Sequence, residues 1–185
     1  SSEITKLKTV LENGGTVYLT GEHSGLATRN NSITSFIQDV GGGSAAVGSG
    51  YTNDQFVESA FRTPNNITEV YYAGGGYFSN LGNGTAITKN SSGQNPSAAV
   101  WSDSDLSASY PGKIIVVMDV NIFSQSLYYN KTGYDNEKFL ENLVALAETA
   151  SPPTGSSADL AADNTYIDIT MSTAVYNATG GSGAL

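Results

Sequence analysis

One unbroken apolar run stands out along the chain. Ile114 to Met118 has five consecutive apolar residues, with Pro111-Gly112 before it and Asp119 after it. A run of this length without alternation is typical of a strand that is covered on both faces, as in a parallel sheet enclosed by helices. We therefore expect a central strand that delivers Asp119 and Asn121 to the rim of the sheet, where ligands gather in open α/β folds.

Apolar residues at helical spacing predict three helices. The stripes are Ile4, Leu7, Val10 and Leu11; Ile33, Phe36, Ile37 and Val40; and Phe139, Leu140, Leu143, Val144 and Ala147. Glycines follow the first two stripes, and Asp135 is expected to cap the third helix. Short apolar segments predict strands at 16–20, 45–47, 70–73 and 98–101, while 55–61 reads as a short helix and 79–97 as a long polar loop. Helices and strands in this order favour an α/β fold with a mostly parallel sheet.

The periodicity changes near the C-terminal end, which predicts two domains. Residues 1–150 are assigned to the α/β domain, and the Ser- and Pro-rich stretch 151–158 is assigned to a linker. From 159 to 185 we expect the beginning of an all-β repeat domain, because Ile167, Ile169 and Met171 alternate with polar residues as in a half-buried strand. The first helix has no strand ahead of it, from which we expect the chain to be cut from a longer polypeptide.

Composition narrows the classes of partner. The chain has 185 residues and a net charge of −9, and its 8 basic residues are scattered singly. Nucleic acids and anionic membranes attract clustered Lys and Arg, so neither is an expected partner. No apolar stretch is long enough for membrane insertion. There is no cysteine, which excludes thiolate catalysis.

Two stretches carry a resemblance to a known family. Gly112 to Phe123, followed by Asp135 to Leu143, resembles the end of the GldG-like domains, which are relatives of the class I glutamine amidotransferase fold. Asn13 to Glu22 fits the same pattern, in which a helix ends in paired glycines before a strand. The resemblance implies a three-layer, flavodoxin-like, mostly parallel sheet with helices on both faces, in a domain associated with carbohydrate binding. Since the amidotransferase nucleophile is a cysteine, that chemistry is not available to this chain.

A second resemblance concerns the C-terminal part. Leu160 to Ser172, with the glycine-rich end of the chain, resembles the opening of tandem β-sandwich repeats in very large bacterial surface proteins. It implies a C-terminal β-strand tail and an extracellular or cell-surface location.

Candidate chemistry lies where two predicted strands end. Glu22 and His23 follow one strand and Asp119 follows another, so these groups meet at one rim if the strands are neighbours. A carboxylate beside an imidazole serves acid/base catalysis, and two carboxylates with a histidine bind divalent metals. The alternative is structural, because carboxylates at strand ends commonly accept backbone N–H groups, and Glu22 has Arg29 as a second potential partner. Whether a metal binds is left open.

A ligand at this rim would meet further polar and aromatic side chains. The expected ligand-binding residues are Asn121, Arg29, Tyr128, Tyr129 and Tyr134, since tyrosine rings stack on sugar faces. The glycine-rich stretches lack the Lys-Ser/Thr of a phosphate-binding loop, so no cofactor is expected.

Three functions remain open from the sequence. The first is a non-catalytic module of a large exported bacterial surface protein, for adhesion, extracellular assembly or glycan binding. The second is a hydrolase that uses Glu22, His23 and Asp119. The third is a subunit of a self-assembling extracellular fibre, with strand addition between neighbouring subunits.

Overall fold

The structure is a computed structural model, and it describes residues 2–50, 52–90, 92–124, 132–148, 155–160 and 167–171. The chain divides into two compact units, Ser1–Ala150 and Ser151–Leu185. The helices are α1 (Glu3–Glu12), α2 (Ala27–Asp39) and α3 (Asn136–Glu148). The strands of the first unit are β1 (Thr16–Thr20), β2 (Ala45–Val47), β3 (Thr52–Val57), β4 (Glu69–Gly75), β5 (Phe78–Leu81), β6 (Thr85–Asn90), β7 (Pro96–Trp101) and β8 (Lys113–Val117), and those of the second are β9 (Gly155–Leu160) and β10 (Ile167–Met171).

The first unit is built on a six-stranded sheet. Its order is β1-β8-β7-β6-β3-β4, and β2 pairs with β5 in a separate two-stranded sheet. Within the large sheet only β1 and β8 are parallel, while the other four neighbouring pairs are antiparallel. In the second unit, β9 and β10 form an antiparallel pair.

The apolar run identified in the sequence is buried on both faces of the sheet. Ile114 and Val116 of β8 point into a core with α1, α2 and the β2–β5 sheet, and Ile115 and Val117 point into a second core with α3. The prediction of a central strand that is covered on both sides is therefore confirmed. Trp101 lies in the first core, where its Nε1 donates to the carbonyl oxygens of Gly42 and Leu81.

A buried polar network explains why β6 was not recognised. Thr88 Oγ1 lies 2.7 Å from Ser97 Oγ, and Ser97 Oγ donates to Gln55 Oε1 at 2.6 Å. Tyr72 OH donates to Ser97 O at 3.2 Å. These polar residues are fully buried and share their hydrogen bonds across β3, β4, β6 and β7. The prediction of a polar loop from 79 to 97 is wrong, because β5 and β6 lie almost entirely within it and β7 begins at its end.

The structure corrects the predicted fold class. The sheet is curled, mixed and mostly antiparallel, and the residues that the structure describes form three α-helices. The prediction of a three-layer flavodoxin-like parallel sheet is therefore wrong. The apolar run showed that both faces are covered, but coverage does not set the direction of neighbouring strands. One local prediction is also wrong: where a helix was expected from 55 to 61, residues 52–57 form a strand, and only Ser59–Phe61 forms a short 3-10 turn.

Candidate functional site

The candidate rim lies where the parallel strands β1 and β8 end side by side. Gly21 N donates to Val117 O at 2.8 Å, which extends the pairing past the last strand residue. Glu22 follows β1 and Asp119 follows β8, and both are buried, with exposed fractions of 6% and 0%. The structure thus brings together the two carboxylates that the sequence assigned to one rim.

Glycines of β4 and its end allow a third segment to reach the same place. Gly76 N donates to Met118 O at 2.7 Å. A Cβ atom at Gly75 would lie 2.3 Å from Met118 O, and one at Gly76 would lie 2.3 Å from Glu22 O. No side chain fits such distances, so the glycines are required for the close approach of the three segments.

Asp119 serves the backbone of two of these segments. Its Oδ2 accepts a hydrogen bond from Ala73 N of β4, and its Oδ1 accepts from Asn121 N at 2.7 Å. Burial raises the pKa of the Asp119 carboxyl, the two N–H donors oppose this effect, and the neighbouring charge of Glu22 adds to the rise. Both oxygens are engaged where the chain turns out of the sheet, as the structural alternative expected.

Glu22 has a similar role with longer contacts. Its Oε1 accepts from Val120 N and its Oε2 accepts from His23 N, both at 3.4 Å. The backbone of Glu22 is held by Asn30 on α2: Asn30 Oδ1 accepts from Glu22 N at 3.0 Å, and Asn30 Nδ2 donates to Glu22 O at 2.8 Å. The end of β1 is therefore tied both to α2 and to the turn after β8.

The ring of His23 has its lone pair directed into the backbone. His23 Nδ1 accepts from Gly25 N at 3.0 Å, which caps the short 3-10 turn from Ser24 to Leu26. In the neutral imidazole the proton then resides on Nε2, which lies 3.6 Å from Glu22 Oε2. This tautomer leaves no ring nitrogen free to accept a proton from a substrate.

Of the other predicted ligand residues that the structure describes, Asn121 lies beside Asp119 and Arg29 makes no contact with the rim carboxylates. Arg29 is exposed on α2, and none of the ion pairs among the described residues includes it or joins it to Glu22. Asn121 is exposed and is tied to Asp119 through its backbone N–H. Tyr128 and Tyr129 lie outside the described residues. In the described part of the chain no group of three His, Asp or Glu side chains is arranged to hold a metal ion.

Tyr134 lies at a different place, in a polar cleft beside the start of β4. The cleft has a volume of about 460 Å³ and is lined by Asn66, Ile67, Thr68, Glu69, Gly133, Tyr134 and Asp135. The Tyr134 ring packs against the ring of Tyr71, with centroids 5.3 Å apart and planes inclined at 55°. Asp135 is held by Lys138, whose Nζ lies 2.9 Å from its Oδ2, and this partner lowers the pKa of the Asp135 carboxyl. The cleft therefore combines an oriented aromatic ring with polar walls.

Sequence reasoning missed three buried asparagines that organise the irregular segments. Besides Asn30, Asn136 exchanges hydrogen bonds with both N and O of Tyr71 and also donates to Ile122 O. Asn142 does the same with Asn65 and also donates to Phe61 O. A signal was present for Asn142, because it lies three residues after Phe139 on the apolar face of the predicted helix.

No helix among the described residues is long and apolar enough to cross a membrane. No protein-family model matches the chain, and no curated protein matches it. Among solved structures, the chain is similar to the N-terminal domain of mmIFT52, with a TM-score of 0.61 and 17% sequence identity. The match covers 80% of this chain and 72% of that chain. At this identity the similarity shows a shared fold.

These findings correct two further expectations. The resemblance to a flavodoxin-like, amidotransferase-like domain followed by a surface-protein repeat is not supported, because the similar structure has a sheet of mixed strands and no family model matches. The expected extracellular or cell-surface location, with its role in adhesion, is also withdrawn, since the similar domain belongs to an intraflagellar transport protein.

Proposed function

We propose that this domain is a non-catalytic binding module whose ligand is a neutral glycan held in the cleft at Tyr134. The non-catalytic role is supported by the hydrogen bonds at the rim. Asp119 and Glu22 are buried and their oxygens accept from backbone N–H groups, and His23 Nδ1 accepts from Gly25 N. Acid/base catalysis needs a group within reach of a substrate proton. The carboxylate oxygens and His23 Nδ1 are instead bound to main-chain N–H groups, and His23 Nε2 faces Glu22.

The composition of the cleft supports a glycan as its ligand. Sugar rings bind through stacking on an aromatic side chain together with hydrogen bonds to their hydroxyl groups. Tyr134 supplies a ring whose orientation is set by Tyr71, and the walls supply the amide of Asn66 and the carboxylate of Glu69. A net charge of −9 disfavours an anionic glycan.

Binding to an array of neutral oligosaccharides, followed by titration calorimetry with the best of them, tests the proposal. Tyr134→Ala should weaken binding by about threefold to tenfold, since an aromatic contact contributes roughly 0.5–1.5 kcal/mol. Tyr134→Phe is the matched control, because it keeps the ring and should keep most of the affinity. Absence of binding across the array, or equal affinity for Tyr134→Ala and the wild type, would contradict a glycan site here.

The rival function is a hydrolase, favoured by the 3.6 Å approach of His23 Nε2 to Glu22 Oε2. An activity assay distinguishes the two functions: the wild type and His23→Ala are each incubated with chromogenic ester, phosphate and glycoside substrates, and turnover is measured. We expect no turnover above that of buffer for either protein. Turnover that disappears in His23→Ala would establish the rival and refute the non-catalytic role.

A further inference from the structure

The two edges of the large sheet differ in whether their outward backbone groups are hydrogen-bonded. β4 forms one edge, and its backbone is occupied by side chains: Asn136 bonds both N and O of Tyr71, and Asp119 Oδ2 accepts from Ala73 N. Such contacts prevent another strand from pairing at these positions. The β4 edge is therefore blocked over its central part.

The other edge, β1, presents free backbone groups. Gly15 O accepts from Lys113 N, and Gly21 N donates to Val117 O, so odd-numbered positions face β8. Since backbone groups alternate along a strand, the N–H and C=O groups of Thr16, Tyr18 and Thr20 face away from the sheet. Among the described residues, no strand pairs with this side of β1 and no backbone hydrogen bond reaches it.

The sequence of β1 contains none of the features that protect edges. Thr16 to Thr20 has no charged residue, no proline and no glycine, and its threonine, valine and tyrosine are strong strand formers. Natural edge strands are commonly blunted by lysine, proline or a bulge. Tyr18 is 41% exposed, while burial and the nearby charge of Asp119 raise the pKa of its hydroxyl. Part of the ring is therefore open to solvent at the edge, and its hydroxyl end is desolvated.

This strand is also self-complementary. Read in the opposite direction, Thr-Val-Tyr-Leu-Thr keeps a threonine at each end, an aliphatic residue at the second and fourth positions, and tyrosine at the centre. Val17 is buried in the first core, and Leu19 packs against it. An antiparallel partner with the same sequence would therefore place aliphatic residues beside aliphatic residues on one face, and polar or aromatic residues together on the other.

We propose that two copies of this chain pair antiparallel along β1, with Tyr18 opposite Tyr18 of the second copy at the two-fold axis. The backbone N–H and C=O of Tyr18 face away from β8, so the central pair exchanges both of its backbone hydrogen bonds. Each Thr16 does the same with Thr20 of the other copy. The two sheets then form one continuous sheet through an isologous interface. This inference does not depend on the glycan cleft, which lies at the opposite, β4 edge.

A charge-swap experiment tests the register directly. Analytical ultracentrifugation of the full 185-residue chain from micromolar to millimolar concentration should show a reversible dimer. Tyr18→Lys and Tyr18→Glu each place two like charges opposite each other, and each should weaken dimerisation by about tenfold or more. An equimolar mixture of the two variants places lysine opposite glutamate and should restore the dimer. Tyr18→Phe keeps the aromatic pair and serves as the control.

Several outcomes would overturn the proposal. One is a wild type that remains a monomer at every concentration. This result overturns the proposal both when the Tyr18 and Thr20 amides exchange rapidly with solvent and when another segment of the chain protects them. Another is a dimer that persists unchanged in both charged variants, which would place the interface elsewhere. Circular dichroism spectra identical to that of the wild type establish that the variants are folded, and a mixture that stays monomeric contradicts the pairing at Tyr18.

Discussion

Replacement of Asp119 by asparagine tests whether the rim is structural. The carboxylate accepts one hydrogen bond from Ala73 N and one from Asn121 N, one on each oxygen. Asparagine has nearly the same shape but only one acceptor oxygen, and its NH₂ group would face one of these two N–H donors. Asp119→Asn therefore removes one buried hydrogen bond and leaves the volume of the core unchanged.

The magnitude follows from the burial of the site. An N–H group that loses its acceptor in a fully buried place costs about 1–3 kcal/mol. Part of this cost is offset because the variant no longer buries a charge, which is the main cause of the raised pKa of Asp119. We expect a net loss of about 1–2 kcal/mol in the free energy of unfolding at neutral pH, which corresponds to a decrease in Tm of about 2–4 °C for each kcal/mol.

Urea unfolding followed by tryptophan fluorescence measures this loss. Trp101 is the only tryptophan in the sequence and is fully buried between Gly42, Gly84 and Phe78, so its emission reports on the sheet. The matched control is Asp39→Asn, which removes an exposed pair with Lys8 at 3.4 Å and should cost less than about 0.5 kcal/mol. If Asp119→Asn is no less stable than this control, the assigned role of Asp119 is wrong.

Three further predictions use the same assay. The pKa of Asp119 is raised in the folded chain, so just above the ordinary aspartate pKa the folded chain binds more protons than the unfolded chain, and stability falls as pH rises. The difference in free energy of unfolding between the wild type and Asp119→Asn should therefore shrink from about pH 4 upward and then level off. A difference that grows with pH would contradict the raised pKa. Gly75→Ala should lose about 1–3 kcal/mol, since its Cβ would lie 2.3 Å from Met118 O, and wild-type stability would refute the close approach. Asn136→Ala should lose about 2–4 kcal/mol through its hydrogen bonds to Tyr71 and Ile122, whereas exposed Asn66→Ala should change stability by less than about 0.5 kcal/mol; equal effects of the two would count against the edge contact.

Local patterns predicted elements well and their arrangement poorly. β1 matches the predicted strand, and α3 begins after Asp135, whose Oδ1 accepts from Lys138 N at 3.2 Å as a cap. Val144, predicted to lie on the apolar face of α3, is 47% exposed. In β6 the two apolar residues Ala86 and Ile87 stand among polar ones, so periodicity did not indicate a strand. Its Thr88 is buried through hydrogen bonds with neighbouring strands. Strand order and direction depend on such long-range pairing, which periodicity does not record.

At the rim, the positions of the carboxylates were predictable from the sequence, but their hydrogen-bond partners were not. Position after a strand was enough to bring Glu22 and Asp119 together, because the strands ahead of them are parallel neighbours. Their hydrogen-bond partners were not predictable, since Ala73 approaches from β4, whose path depends on the glycines that follow it. The buried asparagines were missed for the same reason: each binds backbone that is distant in sequence, as Asn142 does with Asn65.

A pH titration of backbone amides by NMR shows whether the Asp119 carboxylate holds the main chain together at the rim. If Asp119 accepts from Ala73 N and Asn121 N, both amide proton shifts should move with one common midpoint above the ordinary aspartate pKa, and the movement should be absent in Asp119→Asn. Amide shifts that stay constant through the acid range, or that titrate equally in the variant, would show that Asp119 does not accept these two hydrogen bonds.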